Sequence, residues 1–137
     1  MAAVAAGAFA LAMVRFSGAA EEGCAQRLPE DPSYRVQWSQ QPSTDLTRYR
    51  LSITREGRPV TEAEVCLNSY MKGMSAMAVT GRGREVAPGT YEVSVTFEMG
   101  GRWPARVLIA ERARPVVAVP VLLEVREAPV PTTSPNF

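Results

Sequence analysis

The chain has 137 residues, of which 46% are hydrophobic, and its formal net charge is +1. This length suits one domain, and the balanced charge gives no indication of nucleic acid or an anionic membrane as the main partner. There is no histidine, which argues against zinc hydrolysis and against a serine–histidine nucleophile. Since no phosphate-binding loop and no useful pair of carboxylates is present either, we expect a binding protein and not an enzyme.

Residues 1–20 are predicted to be a signal peptide or an N-terminal anchor. Residues 2–14 form an unbroken, alanine-rich apolar run, shorter than the about 20 residues that span a bilayer. Small residues at 17–20 suit signal peptidase, although Arg15 follows the run and no basic residue precedes it. The alternative is a buried helix. Export predicts a periplasmic or other extracytoplasmic location, with membrane tethering if the leader is uncleaved.

The sequence contains two cysteines, Cys24 and Cys66. In an exported protein, two cysteines commonly pair, because the compartment is oxidising. We therefore expect one disulfide between them, and the alternative is two unrelated thiols.

Apolar and polar residues alternate with period two through most of the chain after residue 33. The alternating runs cover residues 34–38, 48–54, 62–68, 91–98, 102–109 and 116–125. Turn residues separate them, which is typical of an antiparallel sandwich. Pro120 confines the last run to a sheet edge or a bulged strand. The sequence thus predicts an all-β, immunoglobulin-like sandwich of about six to eight strands over residues 34–126, preceded by a segment at 21–33 and followed by a disordered tail at 127–137.

Four methionines mark the one stretch with suggestive chemistry. Met71, Met74 and Met77 are spaced by three in a predicted loop, and Met99 lies in a later hairpin turn. Thioether sulfur is soft and uncharged, so it suits Cu(I) in a compartment where thiols are lost to disulfides. Methionine also fills irregular gaps in cores. In an extended segment, spacing by three would place successive side chains on opposite faces, so the sulfurs converge only if the loop turns back.

The region from Leu46 to Ile109 resembles the YtkA-like domain family of small exported bacterial proteins. The matching residues are Gly57-Arg58-Pro59-Val60, the methionine loop, Pro88-Gly89-Thr90-Tyr91, and Phe97 to Trp103 with Met99 between them. The resemblance implies an immunoglobulin-like sandwich and an association with copper handling and cytochrome oxidase assembly. Many relatives carry histidines among the loop methionines, whereas this chain has none. An imidazole Cu(II) site is therefore not implied, while a Cu(I) site of Met71, Met74, Met77 and Met99 is.

Two functions follow from these expectations. The first is a non-catalytic envelope domain that binds Cu(I), its only expected cofactor, or passes it to a copper protein or an oxidase assembly factor. The second is a structural or protein-interaction sandwich without a metal, which uses a sheet edge such as the apolar run from Val116 to Leu123 to hold its partner.

Overall fold

The computed structural model describes Cys24, residues 28–71 and residues 73–129. The predicted leader at 1–20 and the tail from residue 130 onward lie outside this part of the chain. Within it, no helix is long and apolar enough to cross a membrane. The strands are β1 (Tyr34–Trp38), β2 (Arg48–Arg55), β3 (Arg58–Pro59), β4 (Glu64–Met71), β5 (Met74–Ala87), β6 (Thr90–Ser94), β7 (Gly101–Ala110) and β8 (Val117–Val125).

The strands form two packed layers that share β5. All strand pairs are antiparallel, in the order β1-β2-β6-β5-β4-β7-β8, with β3 paired to β2. The first part of β5 pairs with β4, and its last residues pair with β6. One layer is therefore β1-β2-β6 and the other is β4-β7-β8. The predicted all-β antiparallel sandwich is confirmed.

β5 is the element that the sequence did not predict, since residues 68–77 were expected to be a loop and no strand was expected again before residue 91. Asn68–Met71 instead completes β4, and residues 74–87 form one long strand. Gly83 pairs with Val65 of β4 and also with Val93 of β6, so β5 passes between the layers at this glycine. Glycine is depleted in strands, which is why the alternation is too weak to read.

The core lies between the layers and is built from the apolar residues of the alternating runs. Four aromatic rings cross it in edge-to-face contact, with ring centroids 5.3 Å apart for Trp38–Tyr49, 5.7 Å for Tyr49–Phe97 and 5.2 Å for Phe97–Trp103. Such geometry is favoured by the ring quadrupoles. The rings thus join β1, at one edge of the first layer, to β7 in the middle of the second.

A half-buried polar cluster also joins the two layers. The Tyr34 hydroxyl donates to the Glu111 carboxylate at 2.5 Å, and the Arg55 guanidinium donates to the same oxygen at 3.0 Å. Burial raises the pKa of the Glu111 carboxyl, but the hydrogen bonds from Tyr34 and Arg55 and the charge of Arg55 outweigh it, so that the pKa lies below its ordinary value. Burial, together with the bond to Glu111, raises the pKa of Tyr34 to about 12.

Cys24 and Leu28 cover part of the outer face of the second layer. Cys24 and Cys66 form the predicted disulfide, with Cα atoms 5.6 Å apart. The Asn68 amide donates to the Cys24 carbonyl at 2.9 Å, and the Arg106 guanidinium donates to the Leu28 carbonyl at 3.0 Å. Cys66 therefore lies fully buried on a strand face that alternation alone assigns to solvent.

Candidate metal site at the methionine end of the sandwich

The hairpin between β4 and β5 carries two of the predicted methionine ligands. Met71 ends β4 and Met74 begins β5, and the two are paired across the turn. Gly73 within the turn has φ 81, a conformation that favours glycine. The register shifts between Tyr70 and Met71, which is a bulge. The expected turning back of the chain is thus present, but as a tight hairpin and not as a loop that gathers three sulfurs.

Met71 and Met77 lie on the core side of adjacent strands. Both are partly buried and pack against the main hydrophobic cluster. A Cβ at Gly101 would lie 3.2 Å from the Cε atom of Met71, so the end of this side chain rests against the start of β7. The structure therefore brings Met71 and Met77 to one end of the sandwich.

Met99 precedes β7 at the same end of the molecule. It lies two residues before Gly101 and its side chain is 42% exposed. The indole nitrogen of Trp103 donates to the Met99 carbonyl at 3.0 Å, and the Glu127 carboxylate accepts a hydrogen bond from the Gly100 amide. These two bonds hold the peptide group that joins Met99 to Gly100, beside the glycine that Met71 contacts.

Met74 is exposed at the hairpin. Residues 75–77 of β5 lie opposite the single register step between Tyr70 and Met71, so regular alternation does not hold between Met74 and Met77. Met74 is 45% exposed, whereas Met77 packs on the core. Of the four predicted ligands, Met71, Met77 and Met99 lie at one end of the sandwich, and Met74 is exposed beside them at the start of β5.

The donors available at this end are soft. Among the described residues, no group of three or more histidine, cysteine, aspartate or glutamate side chains is arranged to hold a metal ion. Thioethers carry no charge and need no deprotonation, so a set of two or three fits a monovalent soft cation such as Cu(I), and does not fit hard divalent cations that prefer oxygen.

A second surface feature was not found from the sequence. Tyr70, Pro104, Pro120 and Leu122 line a groove of about 370 Å³ on the outer face of the second layer. Tyr70 and Leu122 are 45% and 56% exposed. The only signal in the sequence was the apolar continuity of the last strand, in which Leu122 occupies a position that alternation would assign to a polar residue.

This topology and this core define an immunoglobulin-like or fibronectin-type β-sandwich domain. A solved structure of the fn3 domain of human collagen alpha-1(XX) chain is similar, with a TM-score of 0.53 and 14% sequence identity, over 82% of this chain and 97% of that chain. A family model described as YtkA-like matches residues 29–107, more than half of the chain. The protein belongs to the YtkA-like family. A comparison with curated proteins finds no match.

Proposed function

We propose that this domain is a non-catalytic envelope protein that binds Cu(I) through the thioethers of Met71, Met77 and Met99 and passes it to a partner copper protein. The observation that carries the proposal is the position of three methionines at one end of the core, with the Met71 methyl group against Gly101 and Met99 two residues away. Met74 is exposed at the start of β5 and is not a ligand in this proposal.

The mixed burial of these methionines supports transfer as well as binding. Met71 and Met77 are partly buried, whereas Met99 is 42% exposed. A partly apolar surrounding protects Cu(I) from water, and a solvent-reachable thioether offers the ion to an incoming ligand. Because thioethers are neutral, their exchange requires no proton release, and a partner with thiolates or additional methionines can take the ion over.

The disulfide supports the envelope location. Disulfides persist in oxidising compartments and are rare in the cytosol. The disulfide here joins Cys24, which follows the predicted leader, to Cys66 of β4. The same oxidising setting favours methionine over cysteine as a Cu(I) ligand. Fractionation of cells, with N-terminal sequencing of the mature protein, measures both location and cleavage of residues 1–20.

The binding proposal is tested by anaerobic titration with Cu(I) against a competing chelator. We expect one equivalent bound more tightly than micromolar, and loss of that binding in a Met71→Leu/Met77→Leu/Met99→Leu variant, since leucine conserves volume in a core. The matched control is Met74→Leu, which removes the exposed thioether at the start of β5 and leaves the affinity unchanged.

A redox-inert probe identifies the ligands one by one. With carbon-13 in the methionine methyl groups, addition of Ag(I) is expected to shift the resonances of Met71, Met77 and Met99 while that of Met74 stays in place. Equal affinity of the triple variant and the native protein, or a shift confined to Met74, contradicts the proposal.

A further inference from the structure

β8 forms an edge of its layer, and two short segments of the chain pair with the outer side of that edge. The Ala118 amide donates to the Pro29 carbonyl at 3.0 Å, and the Arg126 amide donates to the Pro42 carbonyl at 2.8 Å. Both bridges are parallel. Between them the chain forms β1, which pairs with β2 of the other layer and passes close to β8 without hydrogen bonding to it. Within the part of the chain that the structure describes, residues 120–124 of β8, the open edge, have no backbone partner on this side.

The direction of the backbone groups along the open edge follows from these two bridges. In an antiparallel pair, alternate residues turn their amide and carbonyl toward the neighbouring strand or away from it. Since the amides of residues 118 and 126 point outward, those of Leu122 and Glu124 do as well, while Pro120 has no amide hydrogen. The open edge therefore offers two donors, and the carbonyls of the same alternate residues as acceptors.

The apolar groove adjoins the open edge. Leu122 belongs to both, and its register partner on β7 is Pro104, which lines the groove with Tyr70. The disulfide-linked segment covers the neighbouring surface around Cys66 and Leu108, but the groove is exposed. Glu30 and Arg106 both line the groove, so the groove carries one charge of each sign.

We propose that the open edge and the groove bind a short extended peptide segment of a partner protein. The segment adds to β8 through backbone hydrogen bonds and places a large apolar side chain beside Leu122. Exposed strand edges recruit extended peptides in this way, with backbone bonds giving affinity and alternate side chains giving specificity. This surface is separate from the methionine site and does not depend on it.

The spacing of the two bridges limits the length of the bound segment. They are eight residues apart on β8, about 26 Å at the rise of a strand. A second copy of this domain would bring its own β8 with both flanking bridges, and these would collide with residues 29–30 and 42–44. A segment of about five residues fits between them, which favours a peptide over self-association.

The test is NMR titration of the nitrogen-15-labelled full-length protein with a capped peptide of sequence Lys-Val-Phe-Val-Thr. We expect saturable shifts at the Leu122 and Glu124 amides and slower hydrogen exchange there. N-methylation of the peptide on the alternate residues that face β8 removes a bond and weakens binding about tenfold, whereas N-methylation of the others has little effect.

A matched pair of protein variants separates the backbone donor from the side chain. Glu124→Pro removes an outward amide at a position like that of Pro120, where an edge strand tolerates proline, and is expected to weaken binding about tenfold. Glu124→Ala keeps the amide and retains most of the affinity.

The proposal is overturned if the peptide causes no shift at β8 up to millimolar concentration, if both variants bind the peptide equally well, or if the shifts depend on protein concentration and not on peptide concentration. The Met71→Leu/Met77→Leu/Met99→Leu variant binds the peptide normally, so that loss of Cu(I) binding and loss of peptide binding are separate results.

Discussion

The terminal methyl group of Met71 lies against the backbone of Gly101, and a Cβ at residue 101 would be 3.2 Å from it. Gly101 also has φ 134, a backbone conformation that residues with a side chain rarely adopt. We expect Gly101→Ala to lower the free energy of unfolding by roughly 1–2 kcal/mol, mostly through the backbone, and to displace the Met71 side chain. Urea denaturation measures the first effect, and the Met71 methyl resonance measures the second.

Gly57→Ala is the control for this change. Gly57 has φ 79 but would bring its Cβ within 4 Å of nothing, so its substitution introduces backbone strain without the contact. It should lower stability by a similar amount and leave the Met71 resonance where it was. An unchanged Met71 resonance in Gly101→Ala would show that the contact has no influence on the methionine site.

The disulfide between Cys24 and Cys66 closes a loop with a sequence separation of 42. In the chain-entropy description a loop of this size stabilises the folded state by roughly 3–4 kcal/mol. We therefore expect a reducing agent to lower the urea midpoint markedly. The Cys24→Ala/Cys66→Ala variant should already have the lower midpoint and be insensitive to the reductant. If the native protein, shown by mass spectrometry to be reduced, keeps its midpoint, the bond adds no stability.

The alternation of apolar residues predicted most of the fold because burial on one face of a strand leaves a direct mark on the sequence. The run at 34–38 coincides with β1, and those at 48–54 and 102–109 lie within β2 and β7. Alternation failed at Cys66, which is covered on the outer face by Cys24 and Leu28. No local pattern reveals that distant residues return to cover a strand.

The sequence contains the four methionines but does not show how they are arranged. Spacing by three left open whether the residues converge, and the answer depends on the hairpin at Gly73 and on β5. Met71 and Met77 lie at the same end of the sandwich because they occupy adjacent strands, and Met99 lies at that end because β7 starts beside Met71. The approach of β7 to Met71 brings together residues far apart in the sequence, which single-sequence periodicity does not contain.

Glu111 makes the stability of the domain depend on pH. Its pKa lies below the ordinary value of 4.5 because Tyr34 and Arg55 donate to the charged carboxylate. A depressed pKa stabilises the folded state above the ordinary pKa, and the contribution is lost as pH falls through the lower, folded pKa. We expect Glu111→Gln to cost about 2 kcal/mol at pH 7 and progressively less below pH 4.5, as measured by urea denaturation at several pH values.

Glu124→Gln is the matched control for Glu111. Glu124 pairs with Arg102 at 3.3 Å, but both side chains are well exposed, at 60% and 68%, and such pairs contribute between 0 and about 1 kcal/mol. We therefore expect Glu124→Gln to change the free energy of unfolding little at pH 7 and at pH 3. A cost of Glu111→Gln that stays constant from pH 7 to pH 3 would mean that packing, and not the charge, is responsible.

The close approach of β5 to the end of β6 requires glycine at residue 81. A Cβ there would lie 2.6 Å from the Val95 side chain and 2.8 Å from the Ser94 carbonyl oxygen, and the backbone atom cannot move aside cheaply. We expect Gly81→Ala to destabilise the domain by about 2–3 kcal/mol. Gly83→Ala, whose nearest contact is the Val65 side chain at 3.1 Å, should cost less. Thermal denaturation of both variants measures the difference.

Since β5 also carries Met77, displacement of β5 in Gly81→Ala should weaken Cu(I) binding as well. Equal costs for the two substitutions would place the constraint in the strand conformation and not in the close approach of the layers.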